Sequence, residues 1–197
     1  MKTLADAWGW YAATKRNLER MRRLGRKHWN DPSLVDASIW KDDEFKMLEA
    51  SDIVEGTTTS LKPIDNLAVV VLFSVFESQV RGRLADWMKP EAGALTDPIL
   101  KQAAADAIQG VEEGSFSRRV LDPLKEQGHV SPDLVEQVSQ IRKFRNWVAH
   151  GQRGGDAETN KITPQMAYDR LRNFLAVLGI AIESEQIEPE EPGTQPE

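Results

Sequence analysis

The sequence predicts an all-α protein, an up-down bundle of four to five helices, four of them long, with small helical additions. Three observations point there. Apolar residues recur at three- and four-residue spacing along most of the chain. No stretch alternates polar and apolar with the period of two that a strand needs. And three Asp-Pro, Ser-Pro or Thr-Pro pairs stand where an amphipathic pattern begins, as N-cap and first helical residue.

The elements follow in order. Leu4, Trp8, Tyr11, Leu18 and Met21 mark one face of a first helix that runs to about Trp29, where "NDPS" breaks it. A short helix is expected across "DDEFKMLEAS", Asp42 to Ser51, and "VEGTTTS", Val54 to Ser60, is expected as a loop. The second long helix is expected from near Pro63 to about Met88. It is apolar almost all round at first, which marks it as the central buried helix. "KPEAGALTDP" is expected as a connection. Asp97-Pro98 opens a helix through Ile108, and a short helix is expected around Arg118 to Glu126. Ser131-Pro132 opens a helix from Pro132 to His150, stopped by Gly151. "GQRGGDAETNK" reads as a turn. Thr163-Pro164 opens the last helix, with Ala167, Leu171, Phe174, Leu178 and Ile182 on its apolar face.

With 197 residues, 40% of them hydrophobic and 28% charged, the chain has room for one domain with a sizeable core. Cysteine is absent, which removes disulfides, thiolate metal sites and a cysteine nucleophile. With only three histidines as well, a transition-metal site is not expected, and no cofactor is. Magnesium held by carboxylates stays open. The N-terminal stretch lacks a continuous apolar run, and the greasiest run, Leu67 to Phe76, is half the length that spans a bilayer. The expectation is a cytoplasmic protein with no membrane partner.

The net charge of −6 conceals a local cationic island. Glu183 to Glu197 holds six acids and no Lys or Arg, so the body of the chain is formally neutral. This tail has the composition of disorder. From Gln137 to Gly155 there is no acid, whereas Arg142, Lys143, Arg145 and Arg153 are present with His150 among them. The island is either a solvated helix end, where cations complement the dipole, or a surface for a phosphate-bearing partner.

Within the island, "IRKFRNWVAHG" places an arginine on an apolar stripe. Leu134, Val138, Ile141 and Val148 follow a four-three spacing, and Arg145 completes it. A guanidinium there is costly unless it is paired, or unless this stretch faces a cleft or a subunit interface. Glu77, in the most hydrophobic helix, is the candidate partner. Arg142, Asn146 and His150 share one face, four residues apart. Arg145 lies about 140° around an ideal helix from His150, so one helix does not aim both at one point; a second copy of the chain could. An imidazole that exchanges protons near neutral pH, a guanidinium that holds phosphate and an amide that orients it suit attack by an RNA 2′-hydroxyl on the adjacent phosphate. The spacing itself is cheap: Arg23 and His28 repeat it, and His28 reads as a solvated helix-end histidine.

The string "RNWVAH" resembles the Arg-polar-x-x-x-His motif of HEPN domains, all-α domains found in many prokaryotic toxins, antiphage systems and CRISPR-associated ribonucleases. The residue after Arg is commonly Asn, Asp or His in that family, and here it is Asn146. The resemblance implies a HEPN-like core over about 63–182, an N-terminal helical extension 1–62 within a single domain 1–182, and the tail 183–197 outside it. It implies a metal-independent endoribonuclease of a toxin or antiphage-defence kind. Arg145 would bind or polarise the scissile phosphate, His150 would act as general base or acid, and Asn146 would assist positioning. Glu77 resembles the acidic residue that often accompanies the motif. Arg142, Lys143, Arg153 and Trp147 would contact RNA. The products would be 2′,3′-cyclic phosphate and 5′-hydroxyl ends. The implied partners are RNA, a second copy forming a composite site, and an antitoxin or other defence-system protein.

The alternative is a catalytically inactive HEPN-like module that binds RNA or protein. A helical DNA-binding regulator using "RNLERMRRLGRKH" is a third class, without helix-turn-helix spacing to support it. Trp8, Trp10, Trp29, Trp40 and Trp87 are expected in packing, and Trp147 either at a seam or stacked on a base. "GQRGG" is a helix-exit loop or a close approach to RNA backbone. Arg81 and Arg83 either extend the cationic surface or form the solvated side of their helix.

Overall fold

The computed structural model describes residues 1–27, 29, 47–151 and 162–182. Among these every regular element is helical. The helices are α1 (Leu4–Lys27), α2 (Ala50–Ala94), α3 (Pro98–Glu113), α4 (Asp122–Glu126), α5 (Pro132–Ala149) and α6 (Pro164–Val177), with a π-helical turn, Ser117–Leu121, leading into α4.

The cap-and-proline pairs set three helix starts as expected. The Asp97 carboxylate accepts from the Ile99 and Leu100 amides at 2.8 and 3.1 Å. The Ser131 and Thr163 hydroxyls accept from the Leu134 and Met166 amides at 3.3 and 3.2 Å. Each satisfies amides that the first helical turn leaves without a carbonyl.

The central helix is longer than expected at both ends. "VEGTTTS" is helical, not a loop, because α2 begins at Ala50, where Glu49 and Asp52 form a reciprocal capping box. The hydroxyls of that stretch turn inward along the helix. Thr57 and Thr58 donate to the carbonyls of Ile53 and Val54 at 2.7 and 2.6 Å, and Ser60 to that of Gly56 at 2.8 Å. Tertiary contact adds to this: Ile53 and Val54 pack so tightly on Gly25 of α1 that a Cβ there would lie 3.1 Å from each. Pro63 therefore lies inside the helix, and so does Pro90, within the segment expected as a connection. The real connection is Leu95 to Asp97. The short helix expected across Asp42 to Ser51 falls on 42–46, outside the described residues, on Met47 to Glu49, which are not helical, and on Ala50 and Ser51, which begin α2.

Pairing of Tyr11 with Asp65 and of Gly25 with Ile53 makes α1 antiparallel to α2. One core joins all the main helices. Leu4 and Ala7 of α1, Val69, Leu72, Phe73, Phe76 and Val80 of α2, Val138 and Ile141 of α5, and Leu171, Phe174 and Leu175 of α6 are essentially inaccessible. Phe76 meets Phe174 edge-on at 5.3 Å, and Phe73 and Phe76 each meet Phe116 edge-on at 5.9 Å. Of the tryptophans, Trp29 is buried and Trp8 stacks on Tyr168 at 4.8 Å. Trp10 and Trp87 are exposed and not part of the core, and Trp40 lies outside the described residues. By length and composition α2 passes the test for a membrane-crossing helix, a test that core helices of soluble domains also pass.

Arg81 ties α3 to α2. Its Nε and Nη2 donate to Glu77 Oε1 at 3.0 and 2.5 Å. Nη2 also donates to the Gly114 carbonyl at 2.9 Å, and Nη1 to that of Val111. The guanidinium carbon lies 5.2 Å from the Phe116 ring centre. One side chain thus occupies two carbonyls at the end of α3, where a helix lacks donors. Arg81 is not part of a cationic surface, and Arg83 lies against Trp87 at 4.9 Å. Arg81→Met leaves Glu77 and both carbonyls without this partner, and is expected to lower the unfolding free energy by about 2–4 kcal/mol in urea titration. Gly25→Val is expected to cost about 1–3 kcal/mol by overpacking against Ile53 and Val54. Unchanged urea midpoints would refute either assignment.

Candidate functional site around Arg145

Helix α5 carries the motif, and its end is built from the backbone. The His150 amide donates to the Asn146 carbonyl at 2.9 Å, and the Gly151 amide to that of Val148 at 3.1 Å. Gly151 has φ +72°, a left-handed conformation that glycine adopts without a Cβ penalty. His150 is the C-cap and is exposed.

The buried face of α5 is Val135, Val138, Ile141 and Phe144. This corrects the expected stripe: Leu134 and Val148 are half-buried, and the core line is displaced to Val135 and Phe144. Arg145 therefore stands at the margin of the core, half-buried. Its guanidinium carbon lies 5.9 Å from the ring centre of Phe73, itself 1% exposed. Its Nη1 donates to Asn146 Oδ1 at 3.1 Å.

The expected Glu77–Arg145 pair does not form; Glu77 takes Arg81, four residues on along its own helix. That partner was readable in the sequence as an i,i+4 pair of opposite charge. Among the described residues Arg145 has no carboxylate partner and one side-chain hydrogen bond, to Asn146. The structure thus brings Arg145 and Asn146 together. It gives the His150 imidazole no side-chain hydrogen bond among the described residues.

Of the other expected contacts, Lys143 is exposed, and Trp147 is half-buried against Phe144 at 5.6 Å. Arg142 is half-buried, and its Nε is a buried donor without a partner among the described residues. Arg153 and His28 lie outside the described residues.

A further opening lies elsewhere and was missed. A cleft of about 680 Å³ runs between α1, α2 and the start of α6, with Trp8, Lys15, Arg16, Lys62, Asp65 and Gln165 among its walls. Across its floor the Tyr11 hydroxyl donates to Asp65 Oδ1 at 2.7 Å. Lys15 Nζ donates to the Tyr11 oxygen at 3.0 Å and to the two Asp65 oxygens at 3.1 and 3.3 Å. The sequence shows Tyr11 and Lys15 one turn apart; Asp65, fifty residues on, comes to them only through the fold.

Burial pushes the Tyr11 hydroxyl above the ordinary tyrosine value, with the Asp65 carboxylate adding to it against an opposing hydrogen bond from Lys15. The hydrogen bond to Tyr11, then Asp65, holds Lys15 above the ordinary lysine value against desolvation. Both groups keep their protons longer folded than unfolded. Their contribution is whole below the unfolded values and is lost as pH climbs through the raised ones. The melting temperature is therefore expected to decline as pH rises above about 10. Asp65→Asn is expected to lower it at pH 8 and flatten that decline; an equally steep alkaline limb in the variant would count against this network.

No protein-family model, no curated protein and no solved structure matches the chain, so the likeness of "RNWVAH" to the HEPN motif stands on Arg145, Asn146 and His150 themselves.

Proposed function

We propose that this chain is a HEPN-type endoribonuclease, folded as the up-down bundle of that family, that cleaves RNA without a metal cofactor and acts as a homodimer. One observation carries the reading: among the described residues the Arg145 guanidinium is held by a ring and an amide, with no carboxylate to neutralise it. A half-buried arginine left in this state keeps donors and charge for an anion. Asn146 fixes one of its nitrogens, and the exposed His150 ends the same helix.

In the proposed reaction an RNA 2′-oxygen attacks the adjacent phosphorus and gives its proton to a general base. The bond from phosphorus to the 5′-oxygen breaks, and the leaving oxygen takes a proton from a general acid. The ends are a 2′,3′-cyclic phosphate and a 5′-hydroxyl. His150 serves one of the two proton transfers and Arg145 offsets charge on the phosphoryl oxygens. A second copy of α5 across a dimer seam brings a second imidazole and guanidinium to one point, which relieves the divergence of Arg145 and His150 on a single helix. Lys143 and Arg142 extend the cationic surface along that helix, and Trp147 packs beside it. A toxin or antiphage-defence role, a cytoplasmic location and an antitoxin or defence-system partner belong to the same reading.

A non-catalytic RNA- or protein-binding module is the second reading. It is favoured by the His150 imidazole, which lacks an orienting side-chain partner among the described residues. Total RNA incubated with the purified chain and EDTA separates the two. Cleavage with cyclic phosphate ends is expected, and His150→Ala and Arg145→Ala should each slow it by about 100-fold or more while circular dichroism stays unchanged. Intact RNA, or undiminished cleavage by folded His150→Ala, would overturn the catalytic assignment.

A further inference from the structure

We propose that the cleft between α1, α2 and the start of α6 binds a nucleoside phosphate, with Arg16 and Lys62 on the phosphate and Trp8 beside the base. The proposal is independent of the ribonuclease reading, because none of its residues belongs to the Arg145 motif.

Size comes first. About 680 Å³ lies within the range of roughly 300–1,000 Å³ that small-molecule sites occupy, and a bare phosphate would leave most of it unfilled. Charge comes next. Three cations, Lys15, Arg16 and Lys62, and two carboxylates, Glu19 and Asp65, line the cleft. They are not equivalent. Lys15 and Asp65 neutralise each other at 3.1 Å, and Tyr11 occupies both. The floor is thereby neutral, and Asp65 does not repel an anion. Arg16 and Lys62 are exposed and form no ion pair among the described residues. They come from different helices onto one opening. The start of α6, Ile162 to Gln165, forms another wall, so the positive end of a 14-residue helix reinforces them.

The other wall is aromatic. Trp8 is half-buried and already stacked on Tyr168 at 4.8 Å with 26° between the planes, so a base beside Trp8 would extend a stack of two rings. Asn66 supplies an amide that both donates and accepts, as the edge of a base requires, whereas the Gln165 amide nitrogen is turned to Asp169, at 3.1 and 3.0 Å from its two oxygens. Two exposed cations, an aromatic wall and the Asn66 amide match a nucleotide better than a simple anion or a peptide carboxylate. Among the described residues Glu19 is the one acid lining the cleft without an ion pair, and it gives the proposal a sign: its removal should strengthen binding of an anion and weaken binding of a cation.

Two sources offer this chemistry, a free mononucleotide and a nucleotide unit within a strand. The full chain is titrated calorimetrically at low salt with adenosine 5′-monophosphate, adenosine, and a deoxyadenosine trinucleotide, which lacks the 2′-hydroxyl and is not cleaved. Saturable binding of the monophosphate is expected, about 10-fold tighter than adenosine and weakening with added salt. The double variant Arg16→Glu, Lys62→Glu changes exposed residues only, and should weaken binding by about 10-fold or more. Glu19→Gln should tighten it, and Arg145→Ala should leave it unchanged. A trinucleotide that binds more tightly than the monophosphate identifies a strand as the source; equal affinity identifies the free nucleotide. No saturable binding of either, equal affinity for adenosine and its monophosphate, indifference to the double charge reversal, or loss on Arg145→Ala each overturns the proposal.

Discussion

The Glu77–Arg81 pair ties the middle of α2 to the end of α3, and the arrangement around them depends on it. The two side chains are only 21% and 15% exposed, so their charges are largely out of water and would be costly alone. Four hydrogen bonds offset that cost: two within the pair, two to carbonyls at the end of α3. Among the described residues Glu77 has no other cation as partner. Arg145, on the neighbouring helix, is left with Phe73 and Asn146. A structural commitment in one place thus leaves a charged group uncommitted in another, and the chemistry proposed for α5 rests on that difference.

How much of this was legible in the sequence depended on how local the cause was. The starts of α3, α5 and α6 were legible because a capping side chain acts within three residues of itself. The stop at Gly151 was legible for the same reason. The beginning of α2 was not. Val54 to Ser60 carries a glycine, three threonines and a serine, which argue against a helix until their hydroxyls bond back to it and α1 packs alongside. The face of α5 was misjudged by a fraction of a turn because apolar residues stand on both sides of the true line: Leu134 beside Val135, Val148 beyond Phe144. Periodicity alone does not choose between two overlapping stripes.

The candidate site divides in the same way. Arg145 and Asn146 are neighbours in the chain and in space, so their association was readable. Which carboxylate would meet which guanidinium was a tertiary question, and Glu77 answered it locally. The cleft was invisible for a different reason. Its floor joins Tyr11 and Lys15 to Asp65 across fifty residues or more, and its walls come from three helices. Net charge gave no hint either: a formally neutral body can still hold cations in two separate places, one on α5 and one above the α1–α2 floor.

The hydroxyl-lined beginning of α2 has a further consequence. In residues 50–62 the hydroxyls of Thr57, Thr58 and Ser60 spend their hydrogen bonds on their own backbone, which satisfies them without strengthening the helix, and Pro63, just beyond, offers no amide to the carbonyl of Thr59. The ladder is therefore interrupted between this portion and the Phe73–Phe76 region. Its chief outside support is the later half of α1, through Gly25. These two segments form a hairpin whose amides should exchange with solvent as one cooperative unit, opening at lower free energy than the aromatic centre around Phe76.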